Sequence, residues 1–222
     1  MGAGLSRALV GEAIGTFALV FAGCGAIMVD AKTHALGHVG VAISFGLVIM
    51  VMVYALGHIS GAHFNPAVTL AFALARHFPP KQVLFYWAAQ CLGSISAIGL
   101  LVLLLPPGQA FGTTLSSVHP PQALAWEGVL TFFLMFVIMA VATDTRAEGT
   151  MAGVAIGGTV MLAAFVGGPV TGASMNPARS LGPALFQGDL SHFWIYLIGP
   201  MMGAAAAAWD VTFEAECSTG YK

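Results

Sequence analysis

The sequence predicts an all-α membrane protein: six helices that cross a bilayer and two half-helices set between them. Three observations carry this. First, 58% of the 222 residues are hydrophobic and only 7% are charged, with a mean hydropathy of +0.89, whereas soluble domains carry roughly 25% charged residues. Second, the charges fall so that six apolar runs stay uninterrupted, near 7–29, 39–58, 82–105, 124–144, 151–169 and 191–213, each close to the ~20 residues that span hydrocarbon as a helix. Third, a stretch with the same unusual chemistry occurs twice among these runs.

Taken in order, Met1–Ser6 is too short for the charged region and cleavage site of a secretory leader, so the first run is expected to remain as span one. Span two ends at "GHISGAHFNPAVTLAFA", Gly57 to Ala73. The segment that follows is too apolar for a solvated loop and too short to cross and return. It reads as a re-entrant half-helix from Pro66 to Arg76, roughly 16 Å long, which ends near the midplane of a ~30 Å core. Asn65 before Pro66 is a helix-start signal, since Asn caps and proline at the first helical position needs no N–H. Span three leads to the proline-punctuated joint Leu104–Pro121. Spans four and five precede "GPVTGASMNPARSLGPA", Gly168 to Ala184, in which Pro177 after Asn176 starts a second half-helix. Span six ends before an acidic tail beyond Trp209, expected to fray.

The two quoted stretches match at eight of 17 positions, including both Asn-Pro-Ala triplets, Asn65-Pro66-Ala67 and Asn176-Pro177-Ala178. "EAIGTFALVF" from Glu12 likewise matches "EGVLTFFLMF" from Glu127 at five of ten. The chain thus reads as one domain of two repeats, 1–109 and 110–222. Three spans per repeat give the second the opposite orientation in the membrane.

Irregular backbone at membrane depth is tolerated only inside protein or along a wet cavity. Two inverted half-helices would set Asn65 and Asn176 face to face there, with partial positive charge at both helix N-termini. Water could file past with its oxygens toward these donors, and the opposed dipoles would repel cations and break a proton wire. The small residues Gly57, Gly61, Gly168 and Gly172 are expected to let extended backbone approach the pore closely.

At these residues the sequence resembles the aquaporin (major intrinsic protein) family, over almost the whole chain. The resemblance implies an aquaporin-like bundle and a homotetramer with one pore per subunit. It maps a four-residue selectivity filter onto Phe45, Ala164, Ala173 and Arg179, in which the guanidinium repels cations and donates to passing oxygens. It also makes His63 a pore-lining residue and His58 a loop-holding or gating one. For His63 the plainer alternative is a neutral ring packed under the loop. If Arg179 were ion-paired, the local candidate is Asp189. Water-selective members usually carry His where Ala164 stands, so the constriction should be wider and less polar than a strict water filter. Ser180 is of the water-channel type, whereas Tyr196-Leu197 departs from the Phe-Trp common there. The second stretch looks most like the nodulin-26-like branch and its bacterial relatives, which pass water, glycerol, ammonia or neutral metalloid hydroxides.

Glu12 and Glu127 lie inside spans, where a carboxylate is costly. Either they relay protons or, the reading favoured here, they accept hydrogen bonds from the re-entrant backbone. Cys24, Cys91 and Cys217 have no metal-ligand spacing, and no metal or cofactor is expected. A net charge of -2 without a basic cluster gives nucleic acid nothing to hold. Lys and Arg positions place both termini in the cytoplasm, with Arg7, Arg76, Lys81, Arg146 and Lys222 on one side against Lys32 opposite, in a cell membrane whose lipid bilayer is the solvent. A coupled secondary transporter is the competing class, but it needs a titratable group at the midplane where this chain has asparagine. An enzyme would need a nucleophile with its base, or a metal cluster.

Overall fold

A computed structural model describes residues 3–106, 111–142 and 151–219, the first and the last ten of these by backbone alone. The expected boundary between repeats at 109/110, and Arg146 and Lys222 of the charge argument, lie outside the described residues. All regular structure among the described residues is helical: α1 (Ala3–Thr33), α2 (Gly37–Ser60), α3 (Pro66–Leu74), a 3-10 turn (Pro80–Gln82), α4 (Val83–Leu104), α5 (Pro120–Ala142), α6 (Ala152–Thr171), α7 (Pro177–Gln187) and α8 (Phe193–Thr219). Among the described residues, five helices (α1, α2, α4, α5 and α6) are long and apolar enough to cross a membrane. The apolar part of α8, Phe193–Trp209, is somewhat shorter.

Three expectations need correcting. The tail beyond Trp209 does not leave the helix, because α8 continues as helical backbone to Thr219. Pro120 and Pro121 begin α5 rather than stand before it, since a helix's first turn has no use for their missing N–H. The first half-helix is shorter than Pro66–Arg76. It stops at Leu74, where Arg76 adopts φ 62° and the amides of Arg76 and His77 bond back to Ala73 O and Phe72 O. This is a Schellman closure with arginine in the left-handed position where glycine is usual.

Helices approach closely at several glycines. A Cβ at Gly93 on α4 would lie 2.3 Å from Ala13 O on α1, and one at Gly203 on α8 would lie 2.0 Å from Gly128 O on α5. Gly46 of α2 and Gly157 of α6 press on each other's carbonyl oxygens in the same way. In lipid, where hydrophobic association between helices is absent, such backbone approach drives packing. Helix α1 therefore lies on α4 as α5 lies on α8, α2 lies on α6, and the half-helices α3 and α7 pack on α8 and α4.

The bundle is apolar outside and polar within. Leu84, Leu103, Phe133, Leu162 and Met202 are exposed, whereas Glu12, Thr16, Gln90, Glu127 and Arg179 are buried. An apolar core from Leu19, Phe64, Val68, Leu134, Met135 and Met139 fills the space around α3. The connection from Phe111 to Val118 is tied to the end of α6 by Ser117, whose N–H and hydroxyl both bond Val170 O.

Candidate functional site

Both half-helices begin as their sequences dictate. The Asn65 Oδ1 accepts from Ala67 N at 2.9 Å, and the Asn176 Oδ1 accepts from Ala178 N and Arg179 N. Each Asn has an extended φ near -155° and is followed by a proline in the first helical turn. The two loops are joined across the bundle: Asn65 Nδ2 donates to Met175 O at 2.7 Å and Asn176 Nδ2 to Phe64 O at 2.8 Å. Each amide thus caps its own helix with its oxygen and grips the opposite loop with its nitrogen.

The backbone before each Asn is strained in a repeated way. Gly61 and Gly172 end α2 and α6 at φ 84° and 86°, where glycine is needed. Ala62, Phe64, Ala173 and Met175 are also left-handed, at φ 52°, 50°, 41° and 52°, which non-glycine residues adopt only under tertiary constraint. Gly57 and Gly168 do not lie in extended backbone as expected. They lie within α2 and α6, where their carbonyls accept from Gly61 N and Gly172 N and so close the helices.

Two buried carboxylates supply the constraint. Glu12 Oε1 accepts from His63 N and the Ser60 hydroxyl, and its Oε2 accepts from Phe64 N and Gln90 Nε2. Glu127 Oε1 accepts from Ser174 N and the Thr171 hydroxyl, and its Oε2 accepts from Met175 N. Consecutive N–H groups on a backbone alternating in handedness form a concave anion seat, and each carboxylate fills one. The Tyr86 and Tyr196 hydroxyls complete the pattern by donating to Ser60 O and Thr171 O. Sequence reasoning misses both hydroxyls, since Tyr86 carries no expectation and Tyr196 only one about channel subtype, although their spacing from Ser60 and Thr171 repeats almost unchanged.

His63 is buried. Its Nδ1 lies 3.1 Å from the Thr69 hydroxyl, and its ring stacks on Phe72 with Phe78 and Tyr86 around it. It also lines a cavity of about 550 Å³ together with His58, Gly61, Asn65, Asn176 and Arg179. The two readings of this residue are thus compatible, since one face is packed and the other borders the cavity.

A second cavity of about 400 Å³ opens beyond the first and is lined by Asp30, His38, Thr113 and Gly172 among others. Four residues line both: Phe45, Ala164, Ala173 and Arg179. Arg179 Nη1 donates to Gly112 O at 2.7 Å, and its guanidinium carbon lies 5.1 Å from the centroid of the Phe45 ring, within cation–π range. Asp189 bonds Ser191 N instead of the guanidinium. The sequence did not mark Gly112, whose φ of 71° and close packing on Cys24 present this carbonyl. Gly23 has a similar spatial task, since a Cβ there would lie 2.1 Å from the Phe45 ring.

Two internal cavities that share four lining residues, two capped half-helices and a guanidinium in the shared lining are the features of a membrane channel. The model of the major intrinsic protein family matches residues 2–210. The chain is 54% identical to nodulin-26 of Glycine max over 203 residues, covering 90% of this chain and 75% of that one. It is 52% identical to aquaporin NIP1-1 of Oryza sativa subsp. japonica, covering 90% and 72%. The X-ray structure of the aquaglyceroporin from Plasmodium falciparum superposes with a TM-score of 0.81 at 25% identity, over 94% of this chain and 96% of that one. The chain belongs to the major intrinsic protein family and is a passive channel for water and small solutes, not an enzyme.

Proposed function

We propose that the two cavities are the inner and outer vestibules of the pore and that Phe45, Ala164, Ala173 and Arg179 form its selectivity filter. The observation that carries this reading is that these four residues are the lining shared by both cavities. The shared lining thus comprises two methyl groups, from Ala164 and Ala173, a ring and a guanidinium. Such a ring of side chains offers a solute one apolar side and one donor side, which suits a polyol whose carbons and hydroxyls lie on opposite edges. Glycerol-sized neutral solutes and water are therefore the proposed cargo. Ammonia and neutral metalloid hydroxides fit the same chemistry of small size and no charge.

Ion and proton exclusion rests on Arg179 and on the two helix N-termini meeting at Asn65 and Asn176. The buried cation repels other cations. The fixed amide donors orient central waters and interrupt a proton wire. Pro66, Ala67, Pro177 and Ala178 give those termini their geometry, Gly61 and Gly172 their approach, and Glu12 and Glu127 their backbone support. His63 and His58 belong to the inner vestibule.

The matched packing of α1–α4 and α5–α8 supports two inverted repeats, 1–109 and 110–222, in one channel domain. The apolar outer faces suit a lipid bilayer and a homotetramer of parallel pores in the cell membrane. Basic residues at the start of α1 and after α3 favour cytoplasmic termini. Stopped-flow light scattering on liposomes carrying the purified chain tests the cargo. Vesicles shrunk by glycerol should re-swell far faster than empty ones, and re-swelling at the empty-vesicle rate would remove glycerol.

A further inference from the structure

His38 lines the outer cavity but is not one of the four filter residues. It lies in the first turn of α2, and its Nε2 is 2.9 Å from Phe165 O on α6. A carbonyl only accepts, so Nε2 carries the proton. Phe165 stands four residues before Pro169, the proline inside α6. Proline has no N–H, so the helical donor that Phe165 O would receive from position 169 does not exist. His38 reaches across from α2 and takes its place. The ring also meets Phe165 edge to face at 6.3 Å. It rests over Gly168, where a Cβ would come within 2.7 Å of Cε1. A missing donor, a cleared seat and a supplied donor thus converge on one turn. The carboxylate among that cavity's lining residues is engaged elsewhere: Asp30 Oδ1 accepts from Leu36 N and Gly37 N and so shapes the entry to α2.

This turn lies between two of the four filter residues. Ala164 directly precedes Phe165, and Ala173 follows the end of α6 at Thr171. We propose that His38 is a positioning residue for the constriction. By replacing the hydrogen bond that Pro169 abolishes, it fixes the last turns of α6 and hence the separation of Ala164 and Ala173, and so sets the longest solute that passes. The proposal rests on the filter reading above and deepens it.

The test compares erythritol with glycerol in re-swelling assays on liposomes carrying wild type, His38→Phe, His38→Gln, Pro169→Ala and the His38→Phe/Pro169→Ala double variant. His38→Phe keeps the ring but loses the donor. It should raise the erythritol-to-glycerol ratio about fivefold, the population factor that one net hydrogen bond commands. His38→Gln places an amide nitrogen at the same distance along the side chain and should restore the wild-type ratio. Pro169→Ala returns an N–H to Phe165 O, so adding His38→Phe to it should change nothing further. A general structural role would lower both fluxes and leave the ratio alone. An unchanged ratio in His38→Phe, or an equal shift with Pro169→Ala present, overturns the proposal. If His38→Phe does not fold, Gly168→Ala replaces it: it displaces the ring and must raise the ratio, and an unchanged ratio is again fatal. Ala164→His in the same preparations separates the two levels. If it depresses polyol flux while His38 variants move no ratio, the clamp fails and the filter stands; if it alters nothing, the filter reading falls and the clamp with it.

Discussion

Glu127→Gln probes how the outer loop is held. In the native protein three donors converge on this carboxylate: Ser174 N at 3.0 Å, Met175 N at 2.8 Å and the Thr171 hydroxyl at 2.7 Å. Glutamine keeps one accepting oxygen and turns an NH2 group toward the other side, so at least one buried N–H is stranded. A stranded buried donor costs about 2 kcal/mol, and for a chain of this size each kcal/mol moves the midpoint roughly 2–4 °C. Thermal unfolding in detergent should therefore drop by about 4–8 °C, and water and glycerol flux should fall together as the left-handed loop loses its support. Glu127→Leu strands all three donors, about 3–9 kcal/mol, against a usual total of about 5–15 kcal/mol, and should yield little folded protein. An unchanged midpoint in Glu127→Gln with an altered pH dependence of flux would refute this reasoning and favour a proton relay.

Two further predictions concern the constriction. Ala164→His adds bulk and a donor to a wall that is now a methyl group, and should reduce glycerol flux more than water flux in stopped-flow assays; equal loss of both would remove Ala164 from the filter. Ala173 leaves no thiol at the constriction, Cys24 is fully buried against Gly112, and Cys91 is half-buried on α4. Mercurials should therefore block water flux weakly, and strong block at low concentration would contradict the geometry.

The parts of this molecule legible from sequence are those with local causes. Five of the six expected apolar runs, now α1, α2, α4, α5 and α6, have the length that the thickness of hydrocarbon demands. The half-helix starts follow from Asn before Pro, and the structure puts Oδ1 caps there. Glu12 and Glu127 were legible as loop acceptors because a lone carboxylate in an apolar run needs donors, and the irregular loops supply them. What escaped depends on partners far along the chain. The left-handed conformations of Ala62, Phe64, Ala173 and Met175 contradict local propensity and exist because carboxylates on α1 and α5 hold the loops. Tyr86 and Tyr196 look like ordinary core aromatics until their hydroxyls meet Ser60 O and Thr171 O. The end of α3 was misplaced because its closing residue is arginine, which gives no stop signal, and because the next prolines come only at Pro79 and Pro80. Gly57 and Gly168 share the repeated motif and do border the two cavities, but from within helices that their carbonyls close and not from extended backbone.

The central claim is that opposed asparagine-capped half-helices and Arg179 pass neutral molecules while stopping charge. The most direct test loads liposomes with a pH-reporting dye, imposes a proton gradient and follows light scattering and dye signal together during osmotic shrinkage. The account predicts fast shrinkage with a gradient that decays no faster than in empty vesicles. Rapid collapse of the gradient in the wild-type channel would contradict it.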